Sequence, residues 1–151
     1  MRTEFKNARL IDPETGTDTV GSLFIEDGLI VEQGAADTVV DCTGLCLAPG
    51  IVDIGVKVSE PGERHKESFA SAGRAAVAGG ITTIVTRPDT DPAIDTPETL
   101  EFVERRASID AAVNVLPMAA LTKGRAGREM TEIGFLMDAG AVAFTDCDRV
   151  G

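Results

Sequence analysis

Residues 48–62 read Ala48-Pro49-Gly50-Ile51-Val52-Asp53-Ile54-Gly55-Val56-Lys57-Val58-Ser59-Glu60-Pro61-Gly62. Pro49-Gly50 is a turn, 51–58 is an apolar strand, and Glu60-Pro61-Gly62 breaks the chain again. Beyond Gly62 the period changes. Residues 66–78 are Ala-rich, with Phe69, Ala72 and Ala76 on one helical face and Gly79-Gly80 as a stop. The β-branched run 81–86 then predicts a buried strand. Thr96-Pro97-Glu98 supplies an N-cap, a proline at the first helical position and an acid in the first turn. That helix is expected to run to about residue 108. A strand is expected over 111–117, a helix over 128–139 and a last buried strand over 141–145. Four strands alternating with three helices predict a parallel α/β arrangement.

Ahead of the turn at Pro49 the pattern is all β. Strands are expected over 4–11, 21–25, 29–32, 39–41 and 45–48, with Asp12-Pro13-Glu14-Thr15-Gly16 as a turn and Asp27-Gly28 as a hairpin. The division is therefore a β module over 1–48 and an α/β part over 49–151. A (β/α)8 barrel needs roughly 250 residues. The α/β part is thus either the first portion of a barrel completed elsewhere or an open four-stranded layer.

The formal net charge is −11, and no basic stripe offsets it. Such a field repels nucleic acid. No apolar run approaches the roughly 20 residues that cross a bilayer. The N-terminus lacks the apolar core of a signal peptide, so a cytoplasmic location is expected. Three cysteines, Cys42, Cys46 and Cys147, argue against structural disulfides. Cys42 and Cys46 are expected to be buried thiols rather than half of a zinc site, because no second Cys/His pair is available. Cys147 is expected to be a buried, inert thiol. The one histidine, His65, lies in a charged loop and is expected at the surface. A single imidazole cannot build a two-metal hydrolase site.

The stretch at 48–62 resembles the first barrel strand of the amidohydrolase superfamily, and most closely that of a dihydroorotase. The resemblance extends over nearly the whole chain. It includes Asn7-Ala8-Arg9-Leu10-Ile11-Asp12-Pro13, Asp41-Cys42-Thr43-Gly44, Ala78-Gly79-Gly80-Ile81-Thr82-Thr83, Arg87-Pro88-Asp89-Thr90-Asp91-Pro92 and Gly140-Ala141-Val142-Ala143-Phe144-Thr145-Asp146. It implies a partial TIM-like (β/α)8 barrel preceded by a small N-terminal β-sandwich module. It also implies zinc as cofactor wherever a member of this family is active.

The departures from the family pattern fall on the chemistry. Gly55 and Lys57 stand where the family has the two histidines of its His-x-His metal motif. Gly55 has no donor atom, and an ammonium at Lys57 repels a dication. Both positions would have to become histidine before this strand could hold zinc. Ser59 replaces the arginine that clamps a substrate carboxylate, and Asp89 replaces an asparagine. Asp146 keeps the place of a family residue that can reach the metals. Lys57 is expected either to pair with Asp146 or Asp53 or to extend into water. No bound cofactor is expected for this chain.

The resemblance then implies one of two functions. The first is a catalytically defective dihydroorotase-like protein of pyrimidine biosynthesis, a structural partner of aspartate transcarbamoylase. The second is a metal-dependent cyclic amidohydrolase whose site is completed beyond Gly151. Unpaired strand edges predict self-association into an oligomer.

Overall fold

A computed structural model of the chain describes residues 1–149. They divide into two compact units, Met1–Pro49 and Gly50–Gly151, the latter described to residue 149.

The first unit holds β1 (Arg2–Asp12), β2 (Thr17–Glu26), β3 (Leu29–Val31), β4 (Thr38–Asp41) and β5 (Cys46–Leu47). They form one five-stranded sheet in the order β3-β2-β1-β4, with β5 also on β1. Hairpins explain the antiparallel half. Asp27 and Gly28 both take positive φ, as a two-residue primed turn requires, and close β2 onto β3. β4 and β5 run parallel to β1, a pairing that alternation alone does not reveal. The expectation of two buried thiols is corrected here. Cys42 is buried, but Cys46 is exposed at the short edge strand β5.

The second unit alternates strand and helix. Its strands β6 (Ile51–Val56), β7 (Ile81–Thr86) and β8 (Asn114–Pro117) form a parallel sheet in that order. Between them lie α1 (Phe69–Ala78) and α2 (Pro97–Asp110). Ser68 caps α1 by accepting from the Ser71 amide, and the Ser71 hydroxyl accepts in return from the Ser68 amide. Thr96 caps α2. The predicted apolar faces are the buried ones: Phe69, Ala72 and Ala76 on α1, and Leu100, Val103 and Ala107 on α2. They pack with Val58, Ile84, Ile94, Ala119 and Leu136 into one core on the helix side of the sheet. On the other side Ile54 is 71% exposed.

Strand ends shift by a few residues, with β2 starting at Thr17 instead of 21, β6 ending at Val56 instead of 58 and β8 starting at Asn114 instead of 111; two elements differ more. The helix expected over 128–139 is only α3 (Ile133–Asp138). Residues before it are drawn into a loop, where Lys123 N donates to Glu129 O and the buried Thr131 hydroxyl donates to Ala120 O. Met130 therefore leaves the helix and stands exposed. The fourth strand shrinks to one parallel bridge between Ala119 and Phe144. Three backbone bonds still carry it along β8: Val142 N to Pro117 O, Ala119 N to Ala143 O, and Thr145 N to Ala119 O.

Candidate functional site at the strand ends

In parallel α/β layers, side chains that follow the carboxyl ends of strands converge, and sites form there. In this chain Gly55 and Lys57 close β6, Arg87 and Asp89 follow β7, and Asp146 follows the fourth strand.

Gly55 sits at a register shift between Ile54 and Val56, with φ +93. A side chain there would enter open space but would strain the backbone. The position offers no side-chain ligand atom and departs from regular strand geometry. Returning histidine to residue 55 would not by itself recreate a metal ligand.

Lys57 does not reach Asp146 or Asp53 in an ion pair. Its Nζ lies 2.9 Å from Asp89 Oδ2, so the expected partner is corrected. Arg87 Nη2 meets the same oxygen at 3.1 Å. The Asp89 side chain is 4% exposed, deeply enough buried that an unpaired charge would be costly. The negative charge that Asp89 brings in place of the family's asparagine is therefore offset by two cations. The Arg87 guanidinium is held above its ordinary pKa, first by hydrogen bonding with Cys147, against burial, and also by the Asp89 charge. Cys147 is half-buried rather than buried. With Gly55, Arg87, Met118, Thr145 and Asp148 it lines a cavity of about 490 Å3. Ser59 is buried, and its carbonyl accepts from Glu63 N at 2.8 Å. His65 is exposed, as expected.

Asp146 is occupied by protein donors. Oδ1 accepts from Thr122 N at 3.0 Å and Oδ2 from the Thr122 hydroxyl at 2.6 Å. Arg125, itself buried, donates Nε and Nη2 to Asp146 O at 3.3 and 3.1 Å and Nη2 to Asp148 Oδ1 at 2.8 Å. Burial pushes the Asp146 carboxyl up, but the Thr122 hydroxyl and amide outweigh it and hold it below the usual range. Its native pKa is thus depressed. The stability it contributes is present above the unfolded value of roughly 4 and is lost as pH falls through the native one. Replacing Thr122 by valine should cost about 2 kcal/mol at pH 7. In urea unfolding the gap to the parent should narrow as pH drops below 4. A gap that is constant with pH would show that the hydroxyl acts through packing alone.

Sequence reasoning did not single out Arg87, Thr122 or Arg125. Arg87 carried a usable signal, a cation directly after a β-branched strand. Thr122 and Arg125 carried none, since their partners lie 24 and 21 residues away.

These residues do not fit zinc. Gly55 offers no donor, Lys57 is an ion-paired ammonium, and both Asp146 oxygens already accept protein hydrogen bonds. Among the described residues no group of three or more His, Cys, Asp or Glu side chains is placed to hold a metal ion. No described helix is long and apolar enough to cross a membrane.

The chain is 45% identical over 148 residues to a dihydroorotase of Endomicrobium trichonymphae, covering 97% of this chain and 35% of that protein. It is 43% identical to a dihydroorotase of Solibacter usitatus, again with 97% and 35% covered. The chain thus spans about a third of the length of these curated relatives. Among solved structures, an L-hydantoinase (dihydropyrimidinase) from Arthrobacter aurescens superposes with a TM-score of 0.80. The match has 24% identity and covers 94% of this chain and 32% of that one, a likeness of fold. Residues 44–151 match the dihydro-orotase-like family model. The strand-end frame, the sequence relatives and the fold agree, and the chain belongs to the dihydroorotase-like family of amidohydrolases.

Proposed function

We propose that this chain supplies about a third of a dihydroorotase-like protein of pyrimidine biosynthesis that has lost metal-dependent hydrolysis. In this reading β6, β7, β8 and the strand at Phe144 open a (β/α)8 barrel, and the five-stranded sheet is one layer of a β sandwich. The protein acts in the cytoplasm as a structural partner of aspartate transcarbamoylase, the partner that the family resemblance implies. The observation that carries the loss of chemistry is Lys57 Nζ at 2.9 Å from Asp89, at the end of the strand where the family's metal ligands stand. Exposed apolar residues such as Ile51, Val52 and Ile54 support self-association or cover by further chain.

The second reading is a metal-dependent cyclic amidohydrolase with its site completed beyond Gly151. Its support is the residue type at Asp146, an acid at the family's position after the fourth strand, whose two oxygens would have to leave Thr122 to reach a metal. Zinc content and turnover of dihydroorotate by the purified protein separate the two. We expect well under one equivalent of zinc and hydrolysis at background. Loss of the metal ligands and of the Ser59-position clamp should each cost on the order of 10²-fold or more. Co-sedimentation with aspartate transcarbamoylase is the matching assay for the scaffold role. Stoichiometric zinc with turnover would overturn the first reading.

A further inference from the structure

We infer that Lys57, Asp89 and Arg87 form a ligand-free ionic tie, which takes over at the ends of β6 and β7 the cross-linking role of a metal. The inference rests on the reading that this strand end holds no metal, and it is tested separately from it.

The geometry has one keystone. Lys57 Nζ and Arg87 Nη2 converge on the single oxygen Asp89 Oδ2, at 2.9 and 3.1 Å. One cation comes from the end of β6 and the other from the end of β7, so the carboxylate bridges two strands. The backbone joins at the same place, where Arg87 N donates to Val56 O at 2.9 Å. Arg87 Nη2 also approaches Asp148 Oδ1 at 3.8 Å, which Arg125 holds at 2.8 Å. The network thereby continues to the segment after the fourth strand. Lys57 and Arg87 pair with Asp89, and Arg125 pairs with Asp148, so the carboxylates of this network are already matched by protein cations.

The arrangement makes the two ends of the tie unequal. Without Lys57, Asp89 keeps Arg87. Without the Asp89 charge, Lys57 and Arg87 are left as like charges beside a buried amide, a repulsion that water partly screens at Lys57, which is 55% exposed. Asp89→Asn should therefore be costly and Lys57→Met mild. Combining them should relieve part of the damage, because the repulsion is gone.

The test is a double-mutant cycle on the purified protein, read by thermal unfolding with and without EDTA. We expect Asp89→Asn to lower Tm by roughly 6–10 °C and Lys57→Met by a few degrees. The double variant should melt above Asp89→Asn, and EDTA should move none of the four midpoints. If Asp89→Asn does not fold alone, recovery of folded protein in the double variant reads the same coupling. Additive shifts, a double variant that also fails to fold, or a parent Tm lowered by EDTA would each overturn the tie. A coupled, EDTA-insensitive cycle in a protein that nevertheless carries zinc elsewhere would support the tie and overturn the loss-of-metal reading.

Discussion

Glu60→Ala is expected to destabilise the protein by about 3–4 kcal/mol, a large share of the 5–15 kcal/mol typical of a folded domain. Glu60 is 4% exposed. Its Oε2 accepts from Phe69 N, the first residue of α1, at 3.1 Å. Its Oε1 lies 3.2 Å from Arg106 Nε on α2 and 3.5 Å from Arg64 Nε. One carboxylate thus caps the first helix and anchors the second. A negative charge at a helix N-terminus is also favourable to the helix dipole. Alanine leaves an orphan amide and a half-buried guanidinium with Asp110 as its remaining acid. Glutamine keeps an acceptor for Phe69 N but removes the charge, and should cost about half as much. Urea unfolding at pH 7 measures both. An alanine variant within 0.5 kcal/mol of the parent would mean that the loop can rearrange around the loss.

Gly62→Ala should cost about 4 kcal/mol, from two additive causes. Gly62 has φ +102, a region L side chains rarely occupy. A Cβ there would lie 2.8 Å from Asp91 Cβ and closer still to the Asp91 carbonyl oxygen. Backbone lies on both sides, and Asp91 N is itself bonded to Pro61 O at 3.3 Å, so neither partner can step aside cheaply. Gly16→Ala is the matched control. It has φ +71 and nothing within 4 Å, so only the backbone strain of about 1–2 kcal/mol applies. Equal losses for the two substitutions, read by thermal unfolding, would rule out the steric contribution.

Both predictions fall in Glu60-Pro61-Gly62, part of the stretch 48–62 that resembles the first barrel strand of a dihydroorotase. In this chain the triplet is structural: Glu60 secures two helices and Gly62 lets the loop pass close to Asp91. Neither task requires a metal. The presence of the triplet therefore speaks for the fold and leaves the chemistry to be judged on Gly55, Lys57 and Ser59.

What the sequence determined by itself was local in origin. Alternation placed β1 to β5 to within a few residues at most ends, and primed-turn chemistry placed the Asp27-Gly28 hairpin. Caps and the 3.6-residue period placed α1 and α2 with their buried faces. Each of these depends on neighbours within about a turn or a hairpin. That Gly55 brings no side-chain donor was also readable, because residue type alone decides it. Tertiary structure decided what depended on distant partners. It chose Asp89 over Asp146 for Lys57, because the end of β7 lies beside the end of β6. It shortened α3, because Glu129 and Thr131 bond to residues 120–123 instead of to their own helix. It gave Asp146 to Thr122 and Arg125, two residues with no motif of their own. Local periodicity specifies elements, but which charges meet at the strand ends depends on chain segments brought together only by the packed sheet.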